Sequence, residues 1–284
     1  MSKVGLVLEG GGMRGAYTAG ALSWFLDNNI EFDYSVGISS GAVHVCSFLL
    51  KNQTYLHDIS VEYMTDKNYV GIRAFLTEGR LVAYSRIFDK VLYKEIGYDV
   101  KPLINSDLNF EMGIYDCEKG EALFKGKEYL DEKLQFLKAT CSLPIAGKIV
   151  NYRGHKYLDG GIRYMIPIER SIEVGCDKYF VISTKHKGYV RKAAGWFMRT
   201  FMKLNFLKYP KLADDYNIRH KRYYEQVDIV EDLEKQGKAY FLRPSIIIPV
   251  KRFSGDKENL EKMYQLGIED MENNKEEILK FLER

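Results

Sequence analysis

Residues Val36-Gly37-Ile38-Ser39-Ser40-Gly41-Ala42 close one short apolar run and open a longer one. The run before them, from Phe32 to Val36, reads as a strand, and the run after, from Ala42 to Leu50, has helical periodicity. A Gly-x-Ser-x-Gly pentapeptide caught between strand and helix must turn sharply, with its serine at the tip. Gly37 and Gly41 supply the backbone freedom and close approach that such a turn needs. Ser39 is therefore a candidate nucleophile. The pattern is short, and a serine at this place also suits a plain helix cap. The rest of the chain has to decide between the two.

The N-terminus makes a similar passage. Val4 to Leu8 is a continuous apolar run, as expected of a strand buried on both faces of a parallel sheet. It leads through Glu9-Gly10-Gly11-Gly12-Met13-Arg14-Gly15 into a helix from Ala16 to Leu26. Gly10-x-Gly12-x-x-Gly15 satisfies the dinucleotide-binding fingerprint, with Glu31 and Asp33 at the distance of its ribose-binding acid. The same glycines suit an oxyanion hole equally well, because backbone N–H groups at a helix start stabilise any anion. These two readings differ at the end of the next strand. A dinucleotide fold wants a carboxylate there, whereas this chain has the Ser39 turn.

Downstream, Tyr55 to Met64 and Ser85 to Tyr93 read as helical. Asn109 to Asp116 and Ala122 to Phe124 read as a hairpin. Helical periodicity from Tyr129 to Cys141 stops at Ser142-Leu143-Pro144. A second hairpin, Lys148 to Leu158, turns at Arg153-Gly154-His155 and delivers Asp159-Gly160-Gly161. An Asp followed by glycines is in most settings only a turn. A helix from Ile166 to Val174, ending at Gly175, precedes another buried strand, Lys178 to Thr184. Strands alternating with helices predict an α/β fold with a mostly parallel central sheet.

Composition excludes several classes. Of 284 residues, 46% are hydrophobic and 29% charged, as in ordinary globular chains. No run is long enough for a membrane-spanning helix, and the first residues lack a signal-peptide core. Cys46, Cys117, Cys141 and Cys176 show no metal-ligand spacing, so no metal is expected and reduced, buried thiols are. A net charge of +3 gives no argument for nucleic acid. From 185 to 223, however, cations such as Arg191, Lys192, Arg199 and Lys203 alternate with Trp196, Phe197, Phe201 and Leu204. That mixture suits a helix lying on an anionic lipid surface, or else an amphipathic helix packed on the sheet. The C-terminal part is acidic and helical over 228–236 and 256–282, with a strand-like segment from Ala239 to Val250.

Three motifs now stand in one order: Glu9 to Gly15, Gly37 to Gly41, and Asp159 to Gly161, with Cys141-Ser142-Leu143-Pro144 before the last. In these residues the chain resembles the patatin-like phospholipases, over 4–185, and most closely their bacterial intracellular members, whose C-terminal extension is similar to 215–280. The resemblance implies a three-layer α/β/α sandwich with a C-terminal helical extension. It implies a catalytic domain over 4–185, with 186–284 a basic-aromatic helical segment and an α/β extension packed on it. It implies Ser39 as nucleophile and Asp159 as its base, in a dyad without histidine. Gly10, Gly11, Gly12 and Arg14 become the oxyanion hole, Gly37 and Gly41 the elbow, and Pro144, Gly160 and Gly161 its support. Fatty-acyl lipid is then the substrate, no cofactor is needed, and the expected setting is the cytoplasm, with peripheral contact to anionic membrane through residues 190–208. The residues themselves leave open a Ser–His–Asp triad through His155. They also leave open a catalytically silent lipid-binding relative and a nucleotide-binding oxidoreductase using Gly10 to Gly15. Glu9 stands where many family members have Asp, which keeps the charge.

Overall fold

A computed structural model describes residues 2–63 and 69–283. In chain order the strands are β1 (Val4–Leu8), β2 (Tyr34–Ile38), β3 (Phe110–Asp116), β4 (Glu121–Lys125), β5 (Val150–Tyr152), β6 (His155–Asp159), β7 (Lys178–Ile182) and β8 (Ala239–Leu242). The helices are α1 (Gly15–Asp27), α2 (Ser40–Leu49), α3 (Gln53–Ser60), α4 (Ile72–Glu78), α5 (Lys101–Ile104), α6 (Gln135–Cys141), α7 (Ile168–Glu173), α8 (Trp196–Asn205), α9 (Pro210–Lys235), α10 (Lys257–Asn273) and α11 (Lys275–Leu282).

One mixed sheet runs in the order β5-β6-β3-β2-β1-β7-β8, with β4 on β3. Its centre, β3-β2-β1-β7-β8, is parallel, and the two hairpins add antiparallel strands at one side. Side chains alternate across it as the strand period requires. Leu6 and Leu8 face a core shared with α1, α2, α3 and α10, while Val7, Val36 and Val181 face the opposite one, shared with α7 and α9. Helices therefore cover both faces, and the expected three-layer α/β/α architecture is the observed one.

The register fixes where the motifs meet. β4 pairs with Met112 to Asp116 along one edge of β3. On the other edge β2 pairs as far as Ile38 opposite Gly113, and β6 ends at Asp159 opposite Ile114. Two strands thus abut end to end on β3. One ends at the Ser39 turn and the other at Asp159.

Several expected boundaries move. The helix read as Tyr129 to Cys141 is only Gln135–Cys141, because both oxygens of Asp131 accept from the Gln135 and Phe136 N–H groups and Leu134 takes φ +57°. The helix read from Ser85 winds with the wider π-type turn over Arg86–Ile96. Of the helix read as Tyr55 to Met64, the part to Ser60 is α3, and Met64 lies outside the described residues. The segment read as a strand from Ala239 to Val250 is one only to Leu242, since Pro244 and Pro249 have no N–H for a ladder. Beyond it the chain crosses over the glycine loop, where the Arg252 carbonyl accepts from Met13 N–H at 3.0 Å. The end of the basic stretch, from Pro210, and the acidic stretch as far as Lys235 share one long helix, α9, while the earlier basic residues lie in and before α8. The chain after Lys185 returns to the same sheet through β8, parallel to β7.

Candidate active site

Ser39 takes φ +56° and ψ −124°, a backbone conformation that costs a non-glycine residue of order 1–3 kcal/mol. Two glycines make it feasible. A Cβ on Gly37 would lie 2.3 Å from the Gly41 carbonyl oxygen, and one on Gly41 would lie 2.7 Å from that of Leu8. The Ser39 hydroxyl makes no capping bond to α2, so the plain helix-cap role is not what it does. Ser40 Oγ instead accepts from Gly11 N–H at 3.0 Å, tying the elbow to the glycine loop.

Asp159 is fully buried. Its Oδ1 accepts from Gly161 N–H at 2.7 Å, while Oδ2 is buried with no formed hydrogen bond. The Ser39 hydroxyl lies close enough to this carboxyl to favour its charged form. Burial raises the Asp159 carboxyl pKa to about 6. Gly161 N–H, the Ser39 hydroxyl and the positive Arg219 and Arg252 oppose that rise. Gly160 has to be glycine because its Cβ would stand 2.5 Å from the Gly113 carbonyl carbon. The Ser142-Leu143-Pro144 turn supports the strand end, with Ser142 O accepting from Asp159 N–H at 3.0 Å and Pro144 O from Ala146 N–H at 2.9 Å.

The glycine loop borders the same crevice as Ser39 and Asp159. Gly10 N–H donates to Met165 O, and Gly12 sits at φ +59° under the Arg252 carbonyl, which a Cβ would approach to 2.4 Å. Among the described residues, the N–H groups of Gly12 and Ser40 make no hydrogen bond, so both are available to an oxyanion. Sequence reasoning missed Ser40, although the residue after an elbow nucleophile is the usual donor. Glu9 anchors the loop from below. Burial works against its charge, but Lys185, Ser183 and Thr184 hold its pKa below the ordinary carboxylate value. Its Oε1 accepts from Lys185 Nζ at 2.7 Å, and its Oε2 from Ser183 Oγ and Thr184 N–H at 2.6 and 2.7 Å.

Gly10 and Gly11, expected as oxyanion donors with Gly12, have their N–H groups committed to Met165 O and Ser40 Oγ, so the expected set shrinks to Gly12. The expectation for Arg14 changes too, and the triad left open through His155 closes. Arg14, grouped with the glycines as an oxyanion donor, lies over the Tyr189 ring at 5.9 Å and lines an adjoining basic cavity instead of the Ser39 crevice. His155 sits at the opposite end of β6 from Asp159, with Nδ1 3.4 Å from the Asp116 carboxylate. There it joins Asp116 and Glu118 at the hairpin ends and does not complete a triad. His44 is buried on α2 against Gly15. Burial pushes its pKa down to about 4, leaving it neutral.

From Ser39 an apolar cavity leads inward past Val43, Ile59, Val82, Ile87 and Phe88. The nucleophile candidate thus stands at the junction of a polar crevice and an apolar one. A model of the patatin-like phospholipase family matches residues 6–172, well over half of the chain. The chain belongs to that family. A second model, a domain of unknown function (DUF6363), matches residues 209–283 of this patatin-like chain. It is 27% identical over 189 residues to the uncharacterized protein YjjU of Escherichia coli (strain K12), covering 64% of this chain and 52% of that protein. It is 28% identical over 188 residues to the probable lipid hydrolase 463L of Invertebrate iridescent virus 6, covering 59% of this chain and 63% of that protein. The chain therefore spans between half and two thirds of the length of these curated relatives. Among solved structures, VipD from Legionella pneumophila superposes with a TM-score of 0.43 at 9% identity, covering 96% of this chain and 66% of that one.

Proposed function

We propose that this chain hydrolyses fatty-acyl esters of lipids through Ser39 and Asp159. The observation that carries the reading is the uncommitted Oδ2 of a buried Asp159 beside a strained Ser39 whose hydroxyl caps nothing. An ordinary aspartate, with pKa near 4, is a weak base for an alcohol. Burial supports its use here by raising that pKa towards 6. Asp159 takes the Ser39 proton as Oγ attacks the acyl carbonyl. The N–H groups of Gly12 and Ser40 hold the oxyanion, each such donor typically contributing about 3–4 kcal/mol. The protonated Asp159 then passes the proton to the departing alcohol, and water, deprotonated by the same carboxylate, releases the fatty acid from the acyl-enzyme. The apolar cavity beside Ser39 suits the acyl chain, and the printed name of the viral relative, a probable lipid hydrolase, points the same way. The dinucleotide reading has less room, since Arg252 covers the loop on which a pyrophosphate would rest.

The reading extends to an anionic lipid surface as the place of work. Trp196 and Phe197 on α8 are 79% and 73% exposed, and Leu204 and Leu207 are exposed beside them. Lys192, Arg199 and Lys203 flank this apolar face, and interfacial helices combine the two in this way. Arg191, which the sequence placed with these cations, is only partly exposed and lies over the Tyr223 ring at 5.3 Å, so it is not one of the membrane-facing charges.

A lipid-like fluorophosphonate tests the chemistry. Intact-mass analysis should find one adduct on the parent, mapped to Ser39, absent in Ser39→Ala and much slowed in Asp159→Asn, but retained in His155→Ala. A folded parent that takes no adduct would sink the hydrolase reading.

A further inference from the structure

Beside the Ser39 crevice lies a second cavity, of about 650 Å³, into which Arg14, Arg191, Arg219 and Arg252 converge. Two of its arginines, Arg219 and Arg252, also line the Ser39 crevice, so the two spaces share a wall and lie side by side. Among the described residues, no carboxylate forms an ion pair with any of the four guanidiniums, although Glu9, itself bound by Lys185, lies near enough to be felt by Arg14 and Arg191, and Asp159 near enough to act on Arg219 and Arg252. Aromatic rings back them instead: Tyr189 behind Arg14, Tyr223 behind Arg191, Tyr216 behind Arg219 and Phe253 behind Arg252, at 5.0 to 6.0 Å. Arg219 is only 7% exposed, with one N–H committed to the Gly161 carbonyl at 2.6 Å. Arg14 Nε is buried without a hydrogen-bond partner.

Unpaired cations at such burial are costly unless an anion joins them. Their mutual repulsion is visible in Arg219, whose pKa is pushed down to about 9 by burial and by Arg252 and Arg191. A guanidinium set over a ring can still offer N–H donors at its edge, and its planar fork suits the bidentate recognition of phosphate. Lys192 and Lys251 add further positive charge at the wall. A headgroup carrying its own cation, such as choline, would bring like charge into this cluster.

We propose that this cavity receives a phosphate bearing no covering cation, the phosphomonoester headgroup of a lipid whose acyl ester lies at Ser39. The inference rests on the ester-hydrolysis reading and adds the substrate class to it. It also gives the C-terminal region a task. Arg219 and Arg252 both fall within 209–283, outside the residues matched by the patatin-like model. The glycine loop contributes Arg14, the segment before α8 contributes Arg191, and the C-terminal region closes the site over them.

The test compares monomeric dihexanoyl phosphatidate with dihexanoyl phosphatidylcholine, so that binding to a charged surface plays no part. The parent should favour phosphatidate by about tenfold or more in kcat/KM, equivalent to about 1.4 kcal/mol or more. In Arg191→Gln and Arg252→Gln that preference should fall towards one, mainly through KM for phosphatidate. Because the readout is a ratio within one preparation, the folded fraction cancels. A parent that cleaves both lipids equally, or a preference unchanged in both variants, overturns the headgroup site while leaving ester hydrolysis standing. Failure to cleave either lipid or a neutral nitrophenyl ester overturns both. On Ser39→Ala protein, phosphatidate should bind more tightly than inorganic phosphate. Equal affinity would assign the cavity to free phosphate and remove the lipid from it.

Discussion

Asp159 carries the pH behaviour of the proposed reaction. Its folded pKa lies at about 6, raised by burial, and the carboxylate form is the base. Activity should therefore climb with pH along a limb centred near 6 and then level off. Arg252 favours the charged form, so Arg252→Gln should move that limb to higher pH. The kcat/KM profile on a neutral short-chain ester, where the headgroup plays no part, checks both, and a limb that stays put in Arg252→Gln would remove Arg252 from the electrostatics of the base. Replacing the base, in Asp159→Asn, should lower the rate on that ester by about 100- to 10,000-fold. At this scale much could be read from the sequence. Gly37, Gly41, Gly160 and Gly161 stand where a Cβ would collide, which is why these short motifs need glycine at those places. Arg191, Arg219 and Arg252 were not legible as a group. They lie far apart in the chain and belong to no local period, so only tertiary folding brings them together.

Among the elements, the abutment of β2 and β6 on β3 positions Ser39 and Asp159, and α1 against α10 holds the glycine loop's helix in place. The strand runs and hairpins were legible because period-2 alternation and turn residues are local signals. Helix ends were less so, since Asp131 capping at α6 and the left-handed Leu134 depend on side-chain bonds that periodicity does not report. Nor does the sequence announce that α1 and α10 touch at glycines. A Cβ on Gly267 would come within 2.2 Å of the Tyr17 carbonyl oxygen, and one on Gly20 within 1.9 Å of that of Tyr264. Tyr17 donates to Asp270 at 2.9 Å and Tyr264 to Ser23 at 2.8 Å across the same crossing. Gly267→Ala should force the helices apart and destabilise the fold by about 3 kcal/mol. Gly255→Ala, whose new methyl would meet its nearest neighbours at an ordinary 3.4 Å, should change stability by less than about 0.5 kcal/mol. Chemical denaturation of both variants decides the matter, and similar midpoints would contradict the close crossing.

At the scale of the whole molecule, the C-terminal half does more than finish the sheet. The segment after β8 covers the glycine loop, α9 carries Arg219 to the crevice, and the start of α8 borders the basic cavity through Gly195 and Met198. An apolar helix face therefore stands beside the proposed headgroup cavity, where a protein drawing lipid from a surface would need it. No described helix is long and apolar enough to cross a membrane. The chain itself supplies the probe. Of its two tryptophans, Trp24 is buried and Trp196 is 79% exposed. Adding vesicles rich in phosphatidylglycerol should shift the emission to the blue as Trp196 leaves water, while phosphatidylcholine vesicles should do so far less. High salt should weaken the shift, because screening acts most strongly on exposed charges. Lys192→Glu with Arg199→Glu should weaken vesicle binding in a sedimentation assay by about thirtyfold or more, in line with about 1 kcal/mol for each of the two basic residues lost near an anionic surface. If Trp196 emission ignores anionic vesicles, α8 is not the docking element and its apolar face has another partner.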